Sequence, residues 1–419
     1  MRQSAGSDGA ILVSIDFGDS DHSESLTELR LLAETAGVRA LAIVEARRQR
    51  PDAALFAGSG KVQEIAELAE RLHAPLVIFN HDLTPAQMRN LTEKLGTRVI
   101  DRTMLILDIF AQRAQSHEGK VQVELAQLNY LATHLVGMNQ DMGQQKHAVG
   151  ARGPGETKLE LDRRKLGKRV HLLKERLEKL KHQRDVRRRA RSRADVFSVS
   201  IVGYTNAGKS TLFNRLTRAG VYVADQLFAT LDTTSRRMFT EDSGLREGDA
   251  AGIGYPPASP LREEIVVSDT VGFIRHLPHS LVAAFRSTLE ETIQADLLLH
   301  VVDANHPNRD DQIAEVNKVL VEIGAANIPQ VLVLNKIDLL AAPRPDEVRV
   351  SGGVPLAGAV PPGVQRDDYG RIARVFLSAK SGAGLDGLRL ALSEARTGRQ
   401  AAAASEIQTN QASEKYGVE

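Results

Sequence analysis

Near the middle of the chain, a glycine-rich loop separates a strand-like segment from a helix-like one. Residues 203–210 read Gly-Tyr-Thr-Asn-Ala-Gly-Lys-Ser, which is a G-x-x-x-x-G-K-S pattern. Its glycines allow successive backbone N–H groups to curl around a phosphate at the N-terminus of a helix. The pattern therefore predicts a phosphate-binding loop in which Lys209 reaches the β- and γ-phosphates of a nucleotide and Ser210 supplies an oxygen to Mg²⁺.

Three further motifs each follow a strand-like segment directly: Asp269-Thr-Val-Gly272, Asn335-Lys-Ile-Asp338 and Ser378-Ala-Lys380. Asp269 is predicted to hold Mg²⁺ through water, and the Gly272 N–H to meet the γ-phosphate. The Asp338 carboxylate can accept hydrogen bonds from the ring N–H and the exocyclic amino group of guanine, a pair that adenine does not offer. Because strand ends meet at one edge of an α/β sheet, the four motifs predict one Mg²⁺-dependent GTP site.

The segments that would position these motifs alternate between strand-like and helix-like from residue 197 to about residue 395. Two stretches rich in glycine, proline and charge, residues 241–260 and 341–368, interrupt the alternation and are interpreted as surface insertions. We predict a P-loop G domain with a mostly parallel sheet over residues 195–396. A disordered tail is predicted to follow over residues 397–419.

An α/β pattern also fills residues 1–115. Apolar strand-like runs alternate with segments that carry apolar residues at helical spacing, and Thr84-Pro85 fits the N-cap and first position of a helix. This alternation predicts a small N-terminal α/β domain with a largely parallel sheet. Residues 58–61, Gly-Ser-Gly-Lys, resemble half of a phosphate loop, so they form either an ATP site or a turn at the start of the following helix.

Between these regions, residues 116–194 change to a heptad rhythm. Two apolar seams, at residues 121–135 and 159–180, flank a linker at residues 139–157 that contains Gly153-Pro154-Gly155. Such seams predict an antiparallel helical hairpin in which each helix covers the apolar stripe of the other. The Gly-Pro-Gly sequence cannot continue a helix, so the linker is predicted to form the tip of the hairpin.

The second half of the predicted hairpin is strongly basic. Residues 158–193 contain 16 Lys or Arg and 5 Asp or Glu, a local excess of +11 in a chain whose net charge is only +1. Such a concentration of charge favours a polyanionic partner such as RNA. The run at residues 187–193 is interpreted as a contact for rRNA phosphates, with a solvated helix face as the alternative.

The composition narrows the class of protein. None of the 419 residues is a cysteine, which excludes disulfides and thiolate metal sites. The sequence has no run of 18 apolar residues and does not begin like a signal peptide. We expect a cytoplasmic protein, monomeric and without stable membrane insertion, and peripheral membrane association stays open.

Four stretches carry a family resemblance. Residues 224–237 resemble the switch I segment of the HflX family of P-loop GTPases, residues 153–164 its signature and residues 56–62 its N-terminal loop, and residues 269–278 also match. The resemblance extends over about residues 11–395. It implies a GTPase of the translation-factor-related class that binds the large ribosomal subunit and its rRNA and splits or rescues stalled ribosomes under stress. It also implies an ATP activity of the N-terminal region, so an RNA-remodelling ATPase is one alternative function. A second alternative is an rRNA-binding or ribosome-assembly factor in which the nucleotide only gates docking.

The resemblance also assigns roles to switch I. It implies that Thr230 completes the Mg²⁺ shell and that residues 228–232 sense the nucleotide. The predicted catalytic residues are Lys209, Thr230 and Gly272, and the predicted metal ligands are Ser210 and Thr230. The predicted nucleotide-binding residues are Gly203, Tyr204, Thr205, Asn206, Ala207, Gly208, Lys209, Ser210, Phe228, Ala229, Thr230, Leu231, Asp232, Asp269, Thr270, Val271, Gly272, Asn335, Lys336, Ile337, Asp338, Ser378, Ala379 and Lys380.

Phe273 stands directly after the glycine of the Asp-x-x-Gly motif, where many GTPases carry a glutamine that orients the attacking water. A phenyl ring cannot form a hydrogen bond with that water. Either the ring packs against apolar surface while another side chain orients the water, or a partner completes the site. In both cases we expect slow hydrolysis by the free protein and stimulation by the ribosome.

Overall fold

The computed structural model describes residues 9–18, 21–137, 158–192, 196–217, 227–228, 230–240, 263–275, 286–340 and 361–416. The chain divides into two compact units. The first comprises Met1–Val186 with two later segments, Gln226–Asp232 and Arg275–Phe285, and the second comprises Arg187–Asp225, Thr233–Ile274 and Arg286–Glu419. The predicted linker at residues 139–157 and the predicted insertion at residues 241–260 lie outside the described residues.

The first unit begins with a small α/β structure. Its elements are β1 (Gly9–Asp16), α1 (His22–Thr35), β2 (Arg39–Arg47), α2 (Ser59–Leu72), β3 (Leu76–Phe79), α3 (Pro85–Leu95), β4 (Arg98–Ile100) and α4 (Arg102–Arg113). The strands form a parallel sheet in the order β2-β1-β3-β4, which confirms the predicted fold class. Thr84 caps α3 in a capping box with Gln87, and apolar residues such as Ile11, Ile65 and Val77 form a fully buried core.

Two long helices follow, α5 (His117–Gly137) and α6 (Lys158–Ser192), as the heptad spacing predicted. Leu173 of α6 is fully buried, and the Arg169 guanidinium of α6 pairs with the Glu124 carboxylate of α5 at 2.6 Å. The backbone of α6 continues to Ser192, so most of the basic run at residues 187–193 is helical. Among the described residues, no helix combines the length and apolarity needed to cross a membrane.

The second unit contains a seven-stranded sheet. Its strands are β5 (Phe197–Gly203), β6 (Thr234–Thr240), β7 (Glu263–Asp269), β8 (Leu297–Asp303), β9 (Gln330–Asn335), β10 (Gly363–Arg366) and β11 (Ile372–Phe376), in the order β10-β11-β9-β8-β5-β7-β6. The five central strands are parallel, and β10 and β6 are antiparallel edges. The helices are α7 (Lys209–Thr217), α8 (Arg286–Ile293), α9 (Arg309–Ile323) and α10 (Leu385–Tyr416), with a 3₁₀ turn at Ile337–Leu339. The predicted mostly parallel sheet is confirmed.

Two expectations for the second unit need correction. The insertion predicted for residues 341–368 is wrong at its C-terminal end, because β10 there pairs with β11 as part of the sheet. Three of the four β10 residues are exposed, so this strand has no apolar pattern that the sequence could reveal. The tail predicted to be disordered from residue 397 is wrong as far as Tyr416, because α10 continues to that residue. Alanines at residues 401–404 have the highest helix propensity and extend the helix.

Candidate nucleotide-binding site

The predicted phosphate loop joins the end of β5 to the start of α7. Three of its residues have positive φ angles, Gly203 (147°), Asn206 (58°) and Gly208 (92°), in the region that favours glycine. A side chain at Gly203 would overlap the carbonyl oxygen of Val301, and one at Gly208 would overlap the side-chain amide of Asn335. Backbone conformation and close neighbours therefore both require glycine at residues 203 and 208. The loop leads directly into the N-terminus of α7, where backbone N–H groups attract phosphate.

Lys209, the first residue of α7, is almost fully buried. Its Nζ donates a hydrogen bond of 2.7 Å to the carbonyl oxygen of Tyr204 in the same loop. Burial lowers the pKa of Lys209 to about 8, and the Asp269 carboxylate opposes this shift. A phosphate beside the ammonium group would favour its charged form, so the position fits the predicted phosphate contact.

Two oxygen-bearing side chains meet beside Lys209. The Ser210 hydroxyl donates to Oδ2 of Asp269 at 2.7 Å, so α7 and the end of β7 bring a hydroxyl and a carboxylate together. Mg²⁺ prefers oxygen ligands of this kind, with water and phosphate in its other positions. The Thr205 hydroxyl is buried and has no hydrogen-bond partner in the part of the chain that the structure describes. A phosphate oxygen would satisfy it, so the residues present fit a nucleotide with Mg²⁺.

The turn after β7 approaches the phosphate loop closely. A methyl group on Gly272 would lie 2.7 Å from Cγ2 of Thr205 and 3.0 Å from Nζ of Lys209. The Phe273 N–H donates to the Gly203 carbonyl at 3.1 Å, and the Phe273 carbonyl accepts from the Thr205 N–H at 2.8 Å. The phenyl ring is 1% exposed. Phe273 therefore packs in the core, in agreement with the packing interpretation, and another group must orient the attacking water.

Asn335, at the end of β9, connects two loops of the site. Its Nδ2 donates to the Ala207 carbonyl at 2.9 Å, and its Oδ1 accepts from the Ala379 N–H at 2.9 Å. Arg215 of α7, which the sequence did not single out, donates to the carbonyl oxygens of Ala379 and Lys380. One amide and one guanidinium group therefore hold the phosphate loop and its helix against residues 378–380.

Lys336 and Asp338 complete the predicted guanine motif. Lys336 has a φ of 64°, and its Nζ pairs with the Asp303 carboxylate at 2.7 Å. Asp338 lies in the 3₁₀ turn with its side chain exposed. The four motifs thus lie at the carboxyl ends of β5, β7, β9 and β11, where an open α/β sheet binds its ligand.

The predicted switch I residues lie in the segment Gln226–Asp232, which belongs to the first unit. Phe228 and Leu231 are buried in that unit, and Thr230 is partly exposed. The Asp232 carboxylate accepts hydrogen bonds from residues next to α5. Ala229 lies outside the described residues. The sequence placed this segment in the nucleotide site and did not predict its packing in the first unit.

Arg275 is a further buried residue whose role the sequence did not indicate. It follows Ile274 at the start of the second segment that belongs to the first unit. Its guanidinium pairs with the carboxylates of Asp21 and Glu24, at 2.5 and 2.8 Å, and its carbonyl accepts from Arg102. A lone arginine after a motif gives no sequence signal of such pairing.

His300 of β8 was also missed. It is 2% exposed, and burial lowers its pKa to about 4. A hydrogen bond with Gln330 opposes the shift, and the positive charge of Lys209 adds to it. His300 is therefore neutral at physiological pH and serves the sheet as a buried polar residue.

Comparison with known proteins identifies the relatives of the chain. Family models described as GTP-binding GTPase N-terminal, GTP-binding GTPase Middle Region and 50S ribosome-binding GTPase match residues 23–111, 113–191 and 198–336. GTPase HflX of Escherichia coli (strain K12) is 49% identical over 392 residues, which cover 94% of this chain and 84% of that protein. The chain belongs to the HflX family of GTPases. It therefore binds GTP and hydrolyses it to GDP and phosphate.

Other HflX proteins align over similar lengths. GTPase HflX of Caldanaerobacter subterraneus subsp. tengcongensis is 44% identical over 379 residues, covering 90% of this chain and 78% of the relative. The crystal structure of a GTP-binding protein from Sulfolobus solfataricus in complex with GDP covers 93% of this chain and 99% of its own, with 23% identity and a TM-score of 0.43. HflX proteins, like other P-loop GTPases, use Mg²⁺ with the nucleotide.

Proposed function

We propose that this HflX GTPase is a cytoplasmic, monomeric, Mg²⁺-dependent switch that binds the large ribosomal subunit and splits or rescues stalled ribosomes under stress. The observation that carries the proposal is α6, one helix from Lys158 to Ser192 in a stretch with an excess charge of +11. Its side chains over residues 163–183 are mostly exposed. The family model that matches residues 198–336 is that of a 50S ribosome-binding GTPase, which supports the same partner.

A basic helix of this kind binds RNA through phosphates. Each neutralised phosphate releases condensed counterions, so the affinity falls with salt and carries little sequence information. Ribosomal RNA is a dense polyanion that matches the charge of α6. We therefore assign the docking contact to residues 187–193, with the linker at residues 139–157 as the tip that enters an RNA cavity.

The nucleotide site supplies the switch. Lys209 moves its Nζ from the Tyr204 carbonyl to the β- and γ-phosphates, and the Gly272 N–H donates to the γ-phosphate. Ser210 and Thr230 would hold Mg²⁺ directly and Asp269 through water, and the ion would neutralise charge on the phosphate oxygens. The Thr230 contact exists only with GTP, because GDP lacks the γ-phosphate that completes this arrangement.

Guanine recognition is assigned to the carboxyl ends of β9 and β11. Asp338 accepts two hydrogen bonds from the base, and a backbone N–H of residues 378–380 donates to guanine O6. Phe273 leaves hydrolysis slow in the free protein, since its buried ring cannot orient water. We therefore propose that the ribosome completes the site and raises GTP turnover.

The alternative ATP function of the N-terminal region has weaker support. Gly58 is the N-cap of α2, and residues 59–61 form the first turn of that helix. The Lys61 ammonium pairs with the Glu64 carboxylate of the same helix at 2.7 Å. The geometry of a helix start accounts for this Gly-Ser-Gly-Lys sequence without a nucleotide.

The experiment is cosedimentation of the protein with ribosomes and large subunits in GTP-analogue, GDP and nucleotide-free states across a salt series. We expect binding to large subunits, strongest with the GTP analogue, and conversion of intact ribosomes into subunits. Replacing Arg187, Arg188, Arg189 and Arg191 with glutamate should weaken binding and reduce its salt dependence. The slope of log affinity against log salt should change by ~0.9 for each RNA phosphate that the variant no longer neutralises.

A matched variant with lysine at the same four positions keeps the charge and should bind with nearly the wild-type salt dependence. Equal binding by the glutamate and lysine variants would contradict the role of α6. Binding to subunit precursors alone would favour the assembly alternative, and remodelling that needs ATP in place of GTP would favour the RNA-remodelling ATPase.

A further inference from the structure

The turn after β11, residues 378–383, uses nearly all of its backbone donors internally. Five of its N–H groups donate to oxygen atoms of the protein, those of Ser378, Ala379, Ser381, Gly382 and Ala383. The Lys380 N–H is the exception, because it has no partner in the part of the chain that the structure describes, and Lys380 is exposed. A ligand can therefore accept from the Lys380 N–H without breaking an existing hydrogen bond.

Arg215, in the last turn of α7, holds the peptide group that contains this N–H. Its Nε donates to the Ala379 carbonyl at 3.1 Å, and its Nη2 donates to the Lys380 carbonyl at 2.5 Å. All three residues belong to the second unit. The Ala379 carbonyl and the Lys380 N–H are parts of one planar trans peptide group, so they point in opposite directions. Holding the carbonyl therefore fixes the direction of the N–H.

The positive charge of Arg215 acts on the same peptide group. Among the described residues, no carboxylate pairs with the Arg215 guanidinium. Arg371, by contrast, pairs with the Asp367 carboxylate at 2.9 Å. A hydrogen bond from a cation to a carbonyl is stronger than a neutral one, and it polarises the peptide group so that its N–H becomes a better donor. Arg215 therefore both orients the Lys380 N–H and strengthens it.

We infer that Arg215 is a positioning residue for the base, which holds the peptide group between Ala379 and Lys380 so that the Lys380 N–H donates to O6 of guanine. The inference rests on the proposed guanine contact of residues 378–380. A peptide group that is already held loses less conformational entropy when nucleotide binds than a free one loses. The helix α7 thus serves both ends of the nucleotide, because it begins at Lys209 and carries Arg215 in its last turn.

The test compares GDP with 6-thioguanosine diphosphate, in which sulfur, a weak hydrogen-bond acceptor, replaces O6. Both bases keep the ring N–H and the amino group that Asp338 is proposed to bind. Affinities of the full chain for both nucleotides are measured by titration calorimetry with Mg²⁺. Wild type should bind the sulfur analogue about tenfold more weakly than GDP. Arg215→Ala should weaken GDP binding about tenfold and analogue binding less than about twofold, because the analogue already lacks the contact that Arg215 supports.

Two matched variants complete the experiment. Arg371→Ala also removes an exposed arginine of the second unit, but Arg371 precedes β11, whereas residues 378–380 follow that strand. Its affinities for both nucleotides should equal those of wild type. Arg215→Lys keeps the charge and loses the planar fork that reaches two carbonyls. It should therefore bind GDP at least about threefold more weakly than wild type.

The wild-type comparison distinguishes the failure of this inference from the failure of the proposed function. If wild type binds GDP and the analogue equally, the proposed O6 contact of residues 378–380 is itself wrong. If wild type discriminates and Arg215→Ala discriminates as strongly, the O6 contact stands and the positioning role of Arg215 is wrong. Unchanged GDP affinity in Arg215→Ala or Arg215→Lys would also overturn the inference, as would an equal loss of GDP affinity in Arg371→Ala.

Discussion

Nucleotide affinity should depend on pH through Lys209. In the free protein, burial lowers the pKa of Lys209 from 10.5 to about 8. A bound β-phosphate supplies a countercharge and raises this pKa, so the protonated lysine binds nucleotide better. Affinity is therefore constant well below pH 8 and falls as the pH rises above 8. With a bound-state pKa well above 9, the Kd for GDP should rise about tenfold between pH 7 and pH 9.

Calorimetry with GDP and Mg²⁺ in buffers of different ionisation enthalpy measures the linked protons directly. At pH 8 about half of the free protein carries a neutral Lys209, so binding should take up about half a proton, against about a tenth at pH 7. A lysine with an unperturbed pKa would take up almost none at either pH. Absence of proton uptake at pH 8, or proton release, would refute the claim that burial depresses the pKa of Lys209.

Three further variants test the site and the sheet. Asp338→Asn should weaken GTP binding, by on the order of 3 kcal/mol, because an amide cannot accept both hydrogen bonds that the carboxylate accepts from guanine. The same variant should bind xanthosine triphosphate better than wild type does. An unchanged preference between the two nucleotides in a competition assay would contradict the assignment. Thr230→Ala should keep GDP affinity and slow GTP turnover, and a normal turnover rate would count against its role. Burial depresses the His300 pKa to about 4, so the stability that neutral His300 contributes is complete above pH 6.5 and is lost as the pH falls toward 4. Wild type should lose about 2 kcal/mol of unfolding free energy between pH 7 and pH 5 through this group, whereas His300→Leu should lack this loss. Denaturant unfolding at both pH values measures it, and equal losses of unfolding free energy in the two proteins would disprove the prediction.

Motifs with a local context were predictable from the sequence. A phosphate loop is defined within eight residues between a strand and a helix, so residues 203–210 could be placed without tertiary information. The ends of parallel strands share one edge of a sheet, which placed Asp269 and Asn335 beside that loop. Heptad spacing likewise predicted α5 and α6, because the helical period repeats over many residues.

Contacts between distant segments were not predictable. Any carboxylate can cap a helix N-terminus, and the chain has 53 Asp and Glu residues, so nothing in the sequence selects Asp232 for α5. The residues of β10 are mostly exposed, and their pairing with β11, not an apolar pattern of their own, makes them a strand. For Phe273 the motif left two interpretations, and the burial of its ring depends on neighbours far away in sequence.

The amide of Asn335 has a kinetic consequence for nucleotide exchange. It holds Ala207 of the predicted phosphate loop and Ala379 of the predicted guanine-binding loop, so one side chain connects the two loops that we propose to hold the ends of a bound nucleotide. A partner that pulls residues 378–380 outward would loosen both ends together and speed the release of GDP and GTP alike. The relative concentrations of free GTP and GDP would then decide which nucleotide enters next.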